Sequence, residues 1–242
     1  MSRVPAEQVS RDQLGRYSLV QPKQGYRFSM NSVLLADFAP ATSGPVADLG
    51  AGCGVLCLLL WGRGFAGPFT AVEIDPLAAA CCRSNFAAAG VPGRVLEHDL
   101  NQDHRHLPAG GFRLVVSNPP FGRSGHGRLP PEPSRARARH ELALEAKRLW
   151  SLAARLLPPR GRLVLCWPPA RLPACLAGLA ARRLAPKRLR LVHGRADLPA
   201  KLALIEAVKD GGPQLSVLPP LIVYAEGQRY SPEVAAIYAR LD

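Results

Sequence analysis

The segment Ser117–Phe121 reads Ser-Asn-Pro-Pro-Phe, and its residue types suit chemistry on a planar amine. An aromatic amine such as adenine N6 is a poor nucleophile because its lone pair is delocalised into the ring. The Asn118 side-chain oxygen and the Pro119 carbonyl would each accept a hydrogen bond from one N–H of the amine. They would also stabilise the positive charge that the nitrogen gains on accepting a methyl group. The two prolines restrict the backbone, and the aromatic ring offers a stacking face. We therefore predict four catalytic residues: Asn118, Pro119, Pro120 and Phe121.

A second segment, Asp48–Gly54, reads Asp-Leu-Gly-Ala-Gly-Cys-Gly and lies where a predicted strand becomes a helix. Glycines there would let the backbone approach a ligand closely, although any tight turn can carry three glycines. Glu73 ends the next predicted strand, where a carboxylate can accept both hydroxyls of a ribose. A dinucleotide motif would have glycine in place of Val55, so an adenosine without phosphates fits better.

Further cofactor contacts are predicted around these segments. Asp99 follows the third predicted strand, where it can accept the adenine amino group or simply open a surface turn. Asp75, beside Pro76, is expected to be a helix N-cap instead. The complete set of predicted cofactor contacts comprises Arg27, Asp48, Gly50, Gly52, Gly54, Glu73, Ile74, Asp99, Leu100 and Asn118.

Short apolar runs alternate with helical patterns from Pro45 onward, which predicts an α/β fold whose mostly parallel seven-stranded sheet carries helices on both faces. The predicted strands are 46–49, 69–74, 94–98, 112–117, 162–167, 189–193 and 202–208. The predicted helices are 32–38, 55–61, 76–89, 140–157, 172–184 and 232–240. In a doubly wound sheet the fourth strand neighbours the first, so Asn118 should face the same crevice as the glycine turn.

The chain length favours one α/β domain, because 242 residues of which 48% are hydrophobic can bury one substantial core. We expect residues 1–44 to cover the active site, 45–210 to form the core and 211–242 to be its tail. No run of about 18 apolar residues occurs, and the N-terminus lacks the order of a signal peptide. Membrane insertion and export are therefore not expected.

The six cysteines form no Cys-x-x-Cys pair, and no Cys/His cluster has the spacing of a zinc site. We predict that they are small buried hydrophobic residues. A cytoplasmic, reducing compartment is expected, and no metal.

The formal charge of +13, from 31 Lys and Arg against 18 Asp and Glu, favours a polyanionic partner such as RNA or DNA. GC-rich coding would also enrich arginine. Basic residues beside the catalytic segment are predicted to bind RNA phosphates: Arg123, Arg128, Arg135, Arg137 and Arg139. A second basic group either binds phosphates or is merely solvated, and consists of Arg182, Arg183, Lys187, Arg188 and Arg190. Sparse aromatic residues favour one flipped base over a stacked single strand.

Together, Asp48–Gly54 and Asn118–Phe121 resemble class I Rossmann-like methyltransferases that modify amino groups of adenine, guanine or glutamine. Gln24–Ser29 and Ser32–Ala36 are similar to the bacterial valine-tRNA adenine N6-methyltransferase family, as are later pieces at 138–141, 192–193, 199–201 and 219–221. This resemblance, over nearly the whole chain, implies S-adenosylmethionine as cofactor and tRNA as partner. The implied reaction methylates N6 of the adenine immediately 3′ to the anticodon. Asn31, usually Asp in relatives, and Cys53, usually Ser, Thr or Asn, depart from the pattern and leave the exact tRNA open.

The sequence is compatible with three functions: an RNA adenine N6-methyltransferase, a methyltransferase that uses the same motif on protein glutamine or ribosomal guanine, and an RNA-binding module without catalysis. The intact Glu73 and Asn118 argue against the third, and protein glutamine would not require a basic loop. The N-terminal segment with Tyr26, Arg27 and Phe28 should fold over the cofactor or base, or else strap one sheet face. A monomer is favoured, although the sequence leaves the oligomeric state open.

Overall fold

A computed structural model of the protein describes residues 5–24, 27–102, 104–119 and 146–242. Its central sheet contains seven strands of four or more residues in that part of the chain: β3 Val46–Leu49, β4 Phe69–Glu73, β5 Gly93–Glu97, β6 Leu114–Ser117, β7 Arg162–Trp167, β8 Leu184–His193 and β9 Ala200–Lys209. Two strands of two residues each, β10 Ser216–Val217 and β11 Leu221–Ile222, pair with β8. The sequence pattern does not predict these two, because they are too short to show a periodicity.

The strand order is β10-β8-β9-β7-β6-β3-β4-β5, with β11 also on β8. All pairs from β5 to β7 are parallel, whereas β9 is antiparallel to both β7 and β8. The mostly parallel α/β sheet of the sequence prediction is confirmed. The predicted neighbourhood of the first and fourth core strands is also confirmed, since β3 pairs with β6.

Helices cover both faces of the sheet. They are α1 Met30–Phe38, α2 Val55–Gly62, α3 Pro76–Ala89, α4 with described residues 146–156, α5 Leu172–Ala180 and α6 Pro232–Ala239. Successive strand residues point to opposite faces, so Val46 of β3 belongs to the core cluster that contains residues of α1, α2 and α3, while Ala47 belongs to the cluster that contains residues of α4 and α5. The predicted N-cap of α3 is confirmed, because Asp75 Oδ1 accepts a hydrogen bond from Ala78 N at 2.8 Å.

The prediction of a helix over 172–184 is wrong at its C-terminal end. Helix α5 ends at Ala180, and residues 181–183 form a turn in which Arg183 N donates to the Ala180 carbonyl at 3.0 Å. Arg183 has a φ of 59°, a left-handed conformation that a continuing helix cannot contain. Leu184 then begins the ten-residue strand β8. An apolar residue after a helical pattern extends that pattern equally well, so periodicity alone misplaces this boundary.

A β-hairpin precedes α1 and was not predicted. Its strands, β1 Val9–Leu14 and β2 Tyr17–Pro22, are antiparallel. Asn85 of α3 fixes β2, because its Oδ1 accepts from Val20 N at 2.8 Å and its Nδ2 donates to the Val20 carbonyl at 2.8 Å. The same Nδ2 donates to the Cys53 carbonyl at 2.9 Å. The hairpin is therefore tied both to α3 and to the glycine turn after β3.

Candidate active site

The carboxyl ends of β3, β4 and β6 open onto a cavity of about 460 Å³. Strand β3 lies between β4 and β6, and the crevice at such a reversal of strand order is where doubly wound sheets bind ligands. Eight of the residues predicted for the site line this cavity: Gly50, Gly52, Glu73, Ile74, Asp99, Leu100, Asn118 and Pro119. The fold thus brings the glycine turn, the acid of β4 and the segment after β6 into one space.

The glycine turn is held open toward the cavity. Gly50 and Gly52 have φ values of 78° and 56°, and a Cβ at either position would have no atom within 4 Å. These positions therefore require glycine for their backbone conformation while leaving room for a ligand to approach. Gly54 is different, because a Cβ there would lie 2.5 Å from Cys82 Sγ. Gly54 lets α2 pack against α3 and, contrary to its predicted role, does not line the cavity.

Glu73 ends β4 and fastens the turn. Its Oε2 accepts a hydrogen bond from Gly52 N at 2.7 Å, and its Oε1 accepts from Asp75 N at 2.9 Å. A carboxylate has about four acceptor positions, so these two bonds leave capacity for ligand hydroxyls. The backbone bonds orient the group before any ligand arrives.

Asp48 lies beneath the turn and is only 1% exposed. Burial raises the pKa of its carboxyl from the ordinary 3.8 to about 7, and the negative charge of Glu73 acts in the same direction. Cys57 Sγ, 3.6 Å from Oδ2, donates a hydrogen bond that partly offsets this rise. Asp48 lines a separate, water-sized space of about 20 Å³ together with Ser32 and Asn118.

Asn118 is buried at the end of β6. Ser117 Oγ, the preceding hydroxyl, donates to the Leu49 carbonyl at 2.7 Å and joins the ends of β6 and β3. Asn118 Nδ2 donates to Ser32 Oγ of α1 at 3.1 Å. The amide that is predicted to contact the amine is therefore oriented from the helix side by a buried hydrogen bond.

Asp99 combines the two alternatives left open by the sequence. Its Oδ1 accepts from the backbone N of Asn101 at 2.8 Å and from Asn101 Nδ2 at 3.0 Å, as in a surface turn. It also lines the cavity, beside Leu100. A turn-forming acid and a ligand-facing acid are thus the same residue.

Arg27 is not placed as predicted. Its Nη2 bonds both carboxylate oxygens of Asp12 in β1, at 3.0 and 2.9 Å, and its Nη1 donates to Ser10 Oγ at 2.9 Å. It lines neither space around the glycine turn. The guanidinium instead closes the hairpin onto the chain that leads to α1, a long-range ion pair that no local pattern reveals.

Seven predicted residues and Tyr26 of the N-terminal segment lie outside the described residues. The seven are Pro120, Phe121, Arg123, Arg128, Arg135, Arg137 and Arg139. Their roles stay predictions.

A family model described as the methyltransferase small domain matches residues 28–168, which include the glycine turn, Glu73 and Asn118. The chain belongs to this methyltransferase family. A relative from Porphyromonas gingivalis, named tRNA1(Val) (adenine(37)-N6)-methyltransferase, is 36% identical over 188 residues, which are 74% of this chain and 72% of the relative. A relative of the same name from Tolumonas auensis is 28% identical over 92% of each chain. Among solved structures, a predicted O-methyltransferase from Agrobacterium tumefaciens superposes with a TM-score of 0.69 at 22% identity, covering 88% of this chain and 97% of that one. That likeness shows the Rossmann-like fold.

The methyltransferase cavity also has lining residues that sequence reasoning missed. Trp167 and Arg171 reach it from the end of β7, Arg148 from α4, and Pro22 and Gln24 from the end of the hairpin. Trp167 is the last residue of β7, the strand next to β6, so its position at a strand end could have identified it as a lining residue from the sequence. The hairpin residues depend on tertiary packing, and the N-terminal segment therefore both straps the fold and reaches the cavity.

The second basic group of this methyltransferase is engaged within the protein. Its members make the following contacts: Arg183 with Asp210 at 2.6 Å, Arg190 with Glu233 at 2.8 Å, Arg188 with Glu206, Arg182 Nε with Ser151 Oγ at 2.7 Å, and Lys187 Nζ with the Gln214 carbonyl at 3.1 Å. These pairings favour a structural role over phosphate binding.

All six cysteines are buried free thiols, as predicted. Within the described residues no group of three or more His, Cys, Asp or Glu side chains is arranged to hold a metal ion. No helix in the same part of the chain has the length and apolar character that crossing a bilayer requires.

Proposed function

We propose that this methyltransferase uses S-adenosylmethionine to methylate N6 of an adenine in tRNA, the adenine immediately 3′ to the anticodon of valine tRNA. The observation that carries the proposal is the single cavity shared by Gly50, Gly52 and Glu73 on one side and Asn118 and Pro119 on the other. Relatives that bear the name tRNA1(Val) (adenine(37)-N6)-methyltransferase support the substrate.

The residues of the cavity fit the cofactor. Glu73 would accept the ribose hydroxyls, and Gly50 and Gly52 present backbone with open space above it. Ile74 is 59% exposed although apolar, and it would cover one face of an adenine ring, whose amino group Asp99 would accept. When bound, S-adenosylmethionine supplies an electrophilic methyl group on a cationic sulfur.

Asn118 and Pro119 would act on the acceptor amine. The Asn118 side-chain oxygen and the Pro119 carbonyl would each accept a hydrogen bond from one N–H of the amine. These two bonds would turn the nitrogen lone pair toward the methyl group. Both acceptors also stabilise the positive charge that develops on nitrogen during transfer. The hydrogen bond from Asn118 Nδ2 to Ser32 holds the amide in advance, so little reorganisation is needed.

The substrate class is supported by charge. A formal +13 favours a polyanion, and a target base in an unpaired anticodon loop costs little to extrude. We also propose a cytosolic location, which the six free thiols suit. A monomeric state stays a prediction.

The test is methyl transfer from labelled cofactor to purified unmodified RNA. Valine tRNA transcript should become labelled, and mass spectrometry should find N6-methyladenosine in the anticodon loop. A transcript with guanosine at the target position is the matched control and should stay unlabelled. Labelling of a release-factor protein or of ribosomal RNA, with none on the tRNA, would exclude the proposed substrate and favour protein glutamine or ribosomal guanine.

A further inference from the structure

The charged side chains around the cavity are divided between its two sides. Acids come from the ends of β4 and β5, namely Glu73, Asp75 and Asp99. The two cationic side chains in the described lining, Arg148 and Arg171, come from α4 and from the turn after β7. The acidic side suits a cofactor with a cationic sulfur, and the basic side suits an anion.

Of these two cations, Arg148 forms a hydrogen bond within the protein. Its Nη1 donates to Asn101 Oδ1 at 2.9 Å, and Asn101 in turn binds Asp99. Arg148 is therefore part of the support of the turn after β5.

Arg171 is the second of the two cationic side chains in the described lining of the cavity. Within the described residues no carboxylate pairs with it, whereas acids pair with seven other described arginines: Arg27, Arg83, Arg162, Arg183, Arg188, Arg190 and Arg240. It is half-buried, and a cation removed from water without a counter-ion costs stability. A guanidinium that lines a cavity and has no acidic partner can pair with an anionic group of a ligand.

The backbone of Arg171 is held in place beside the catalytic segment. Its N–H donates to the Pro168 carbonyl at 3.0 Å, and its carbonyl accepts from Trp167 Nε1 at 3.3 Å. Strand β7, which precedes it, pairs with β6 through Ser117 and Leu165. Arg171 thus follows the strand next to Asn118, on the side away from Glu73.

We propose that Arg171 binds an RNA phosphate next to the target nucleotide and so positions the flipped base at Asn118. This inference rests on the proposed function. A flipped nucleotide carries a phosphate on each side of its sugar, so an anion necessarily lies near the mouth of the cavity. A guanidinium can bind phosphate through two parallel hydrogen bonds, which fixes orientation as well as affinity.

The test compares Arg171→Gln, Arg171→Lys and the control Arg183→Gln. Arg183→Gln makes the same charge change at the other end of the strands, because Arg183 precedes β8 and pairs with Asp210 just after β9. Three quantities are measured for each variant: affinity for the anticodon stem-loop over a range of salt, KM and kcat for methylation, and calorimetric affinity for the cofactor.

Arg171→Gln should weaken RNA binding about tenfold, as expected for one charge-assisted hydrogen bond, and reduce the slope of log K against log salt by about 0.7. Arg171→Lys should keep the slope and restore part of the affinity. Arg183→Gln should match wild type in RNA binding, and cofactor affinity should not change in any variant. Unchanged RNA affinity and slope in a folded Arg171→Gln protein would overturn the inference, as would a loss of cofactor affinity. Failure of the wild type to methylate any RNA would overturn the proposed function itself, before any variant is compared.

Discussion

At the scale of single residues, Glu73 supplies both hydrogen-bond acceptors for the backbone and a negative charge, and two substitutions separate these contributions. Glu73→Gln keeps one oxygen acceptor for the backbone N–H groups of Gly52 and Asp75 but removes the charge. Glu73→Ala removes both the acceptor oxygens and the charge. We expect Ala to weaken cofactor binding by about 1.5 to 3 kcal/mol, the range of hydrogen bonds to a charged group, and Gln to lose less. Calorimetric titration with the cofactor measures both, and a Glu73→Ala protein that binds like wild type would remove Glu73 from the cofactor site.

Asp48 predicts a pH dependence of stability. Its pKa rises from 3.8 to about 7 on folding, so the folded protein holds a proton that the unfolded chain releases between these values. The resulting contribution to stability is complete below the unfolded pKa and is lost as pH rises through about 7. Asp48→Asn carries no titrating proton, so its free energy of unfolding should rise relative to wild type between about pH 4 and pH 8. Urea titrations at several pH values measure this difference, with the exposed Asp197→Asn as control. A pH-independent difference would contradict the buried, neutral carboxyl.

Some site residues can be predicted from the sequence, and others cannot. Gly50, Gly52, Glu73 and Asn118 are recognisable because strand ends in a doubly wound sheet converge at one edge. Arg27 instead pairs with Asp12 of the β1–β2 hairpin and does not line the cavity. Roles of this kind depend on tertiary contacts, which local spacing does not encode.

At the scale of elements, Asn85 joins three parts of the fold. Its side chain satisfies buried backbone groups of Val20 and Cys53, and Asn85→Ala would leave them without partners. We expect a loss of at least about 2 kcal/mol in the free energy of unfolding, together with faster proteolysis of the hairpin. Thermal or denaturant unfolding measures the loss, and the exposed Gln214→Ala is the control. If the two variants are equally stable, the hairpin is not held through Asn85.

Most core elements follow from the sequence pattern, and the exceptions have physical causes. Strand β7 and helix α3 have the predicted bounds, since Pro76 and Gly90 punctuate the helix. The hairpin strands alternate weakly, because β2 is buried over four consecutive residues against the helices. β10 and β11 exist only through their pairing with β8.

At the scale of the whole molecule, the net charge is less informative than its distribution. Both arginines of β8, Arg188 and Arg190, and Arg240 just after α6 are paired with acids, so these charges do not all act on a distant polyanion. The uncompensated charge beside the cavity, at Arg171, and the basic segment predicted to bind RNA are where we expect salt-dependent contacts. Arg135, Arg137 and Arg139 stay predictions in that respect.

The central feature of the proposed mechanism is Asn118 as a hydrogen-bond acceptor for the target amine. The most direct measurement is the single-turnover methylation rate of Asn118→Ala on valine tRNA, alongside its cofactor affinity and thermal unfolding. Because the substitution leaves the glycine turn and Glu73 intact, cofactor affinity should stay near wild type. The rate should fall by about 10² to 10³, the loss typical of one preorganised contact to a developing charge. Asn118→Asp keeps an acceptor oxygen and should retain more activity. A folded Asn118→Ala protein that methylates at the wild-type rate would contradict the mechanism.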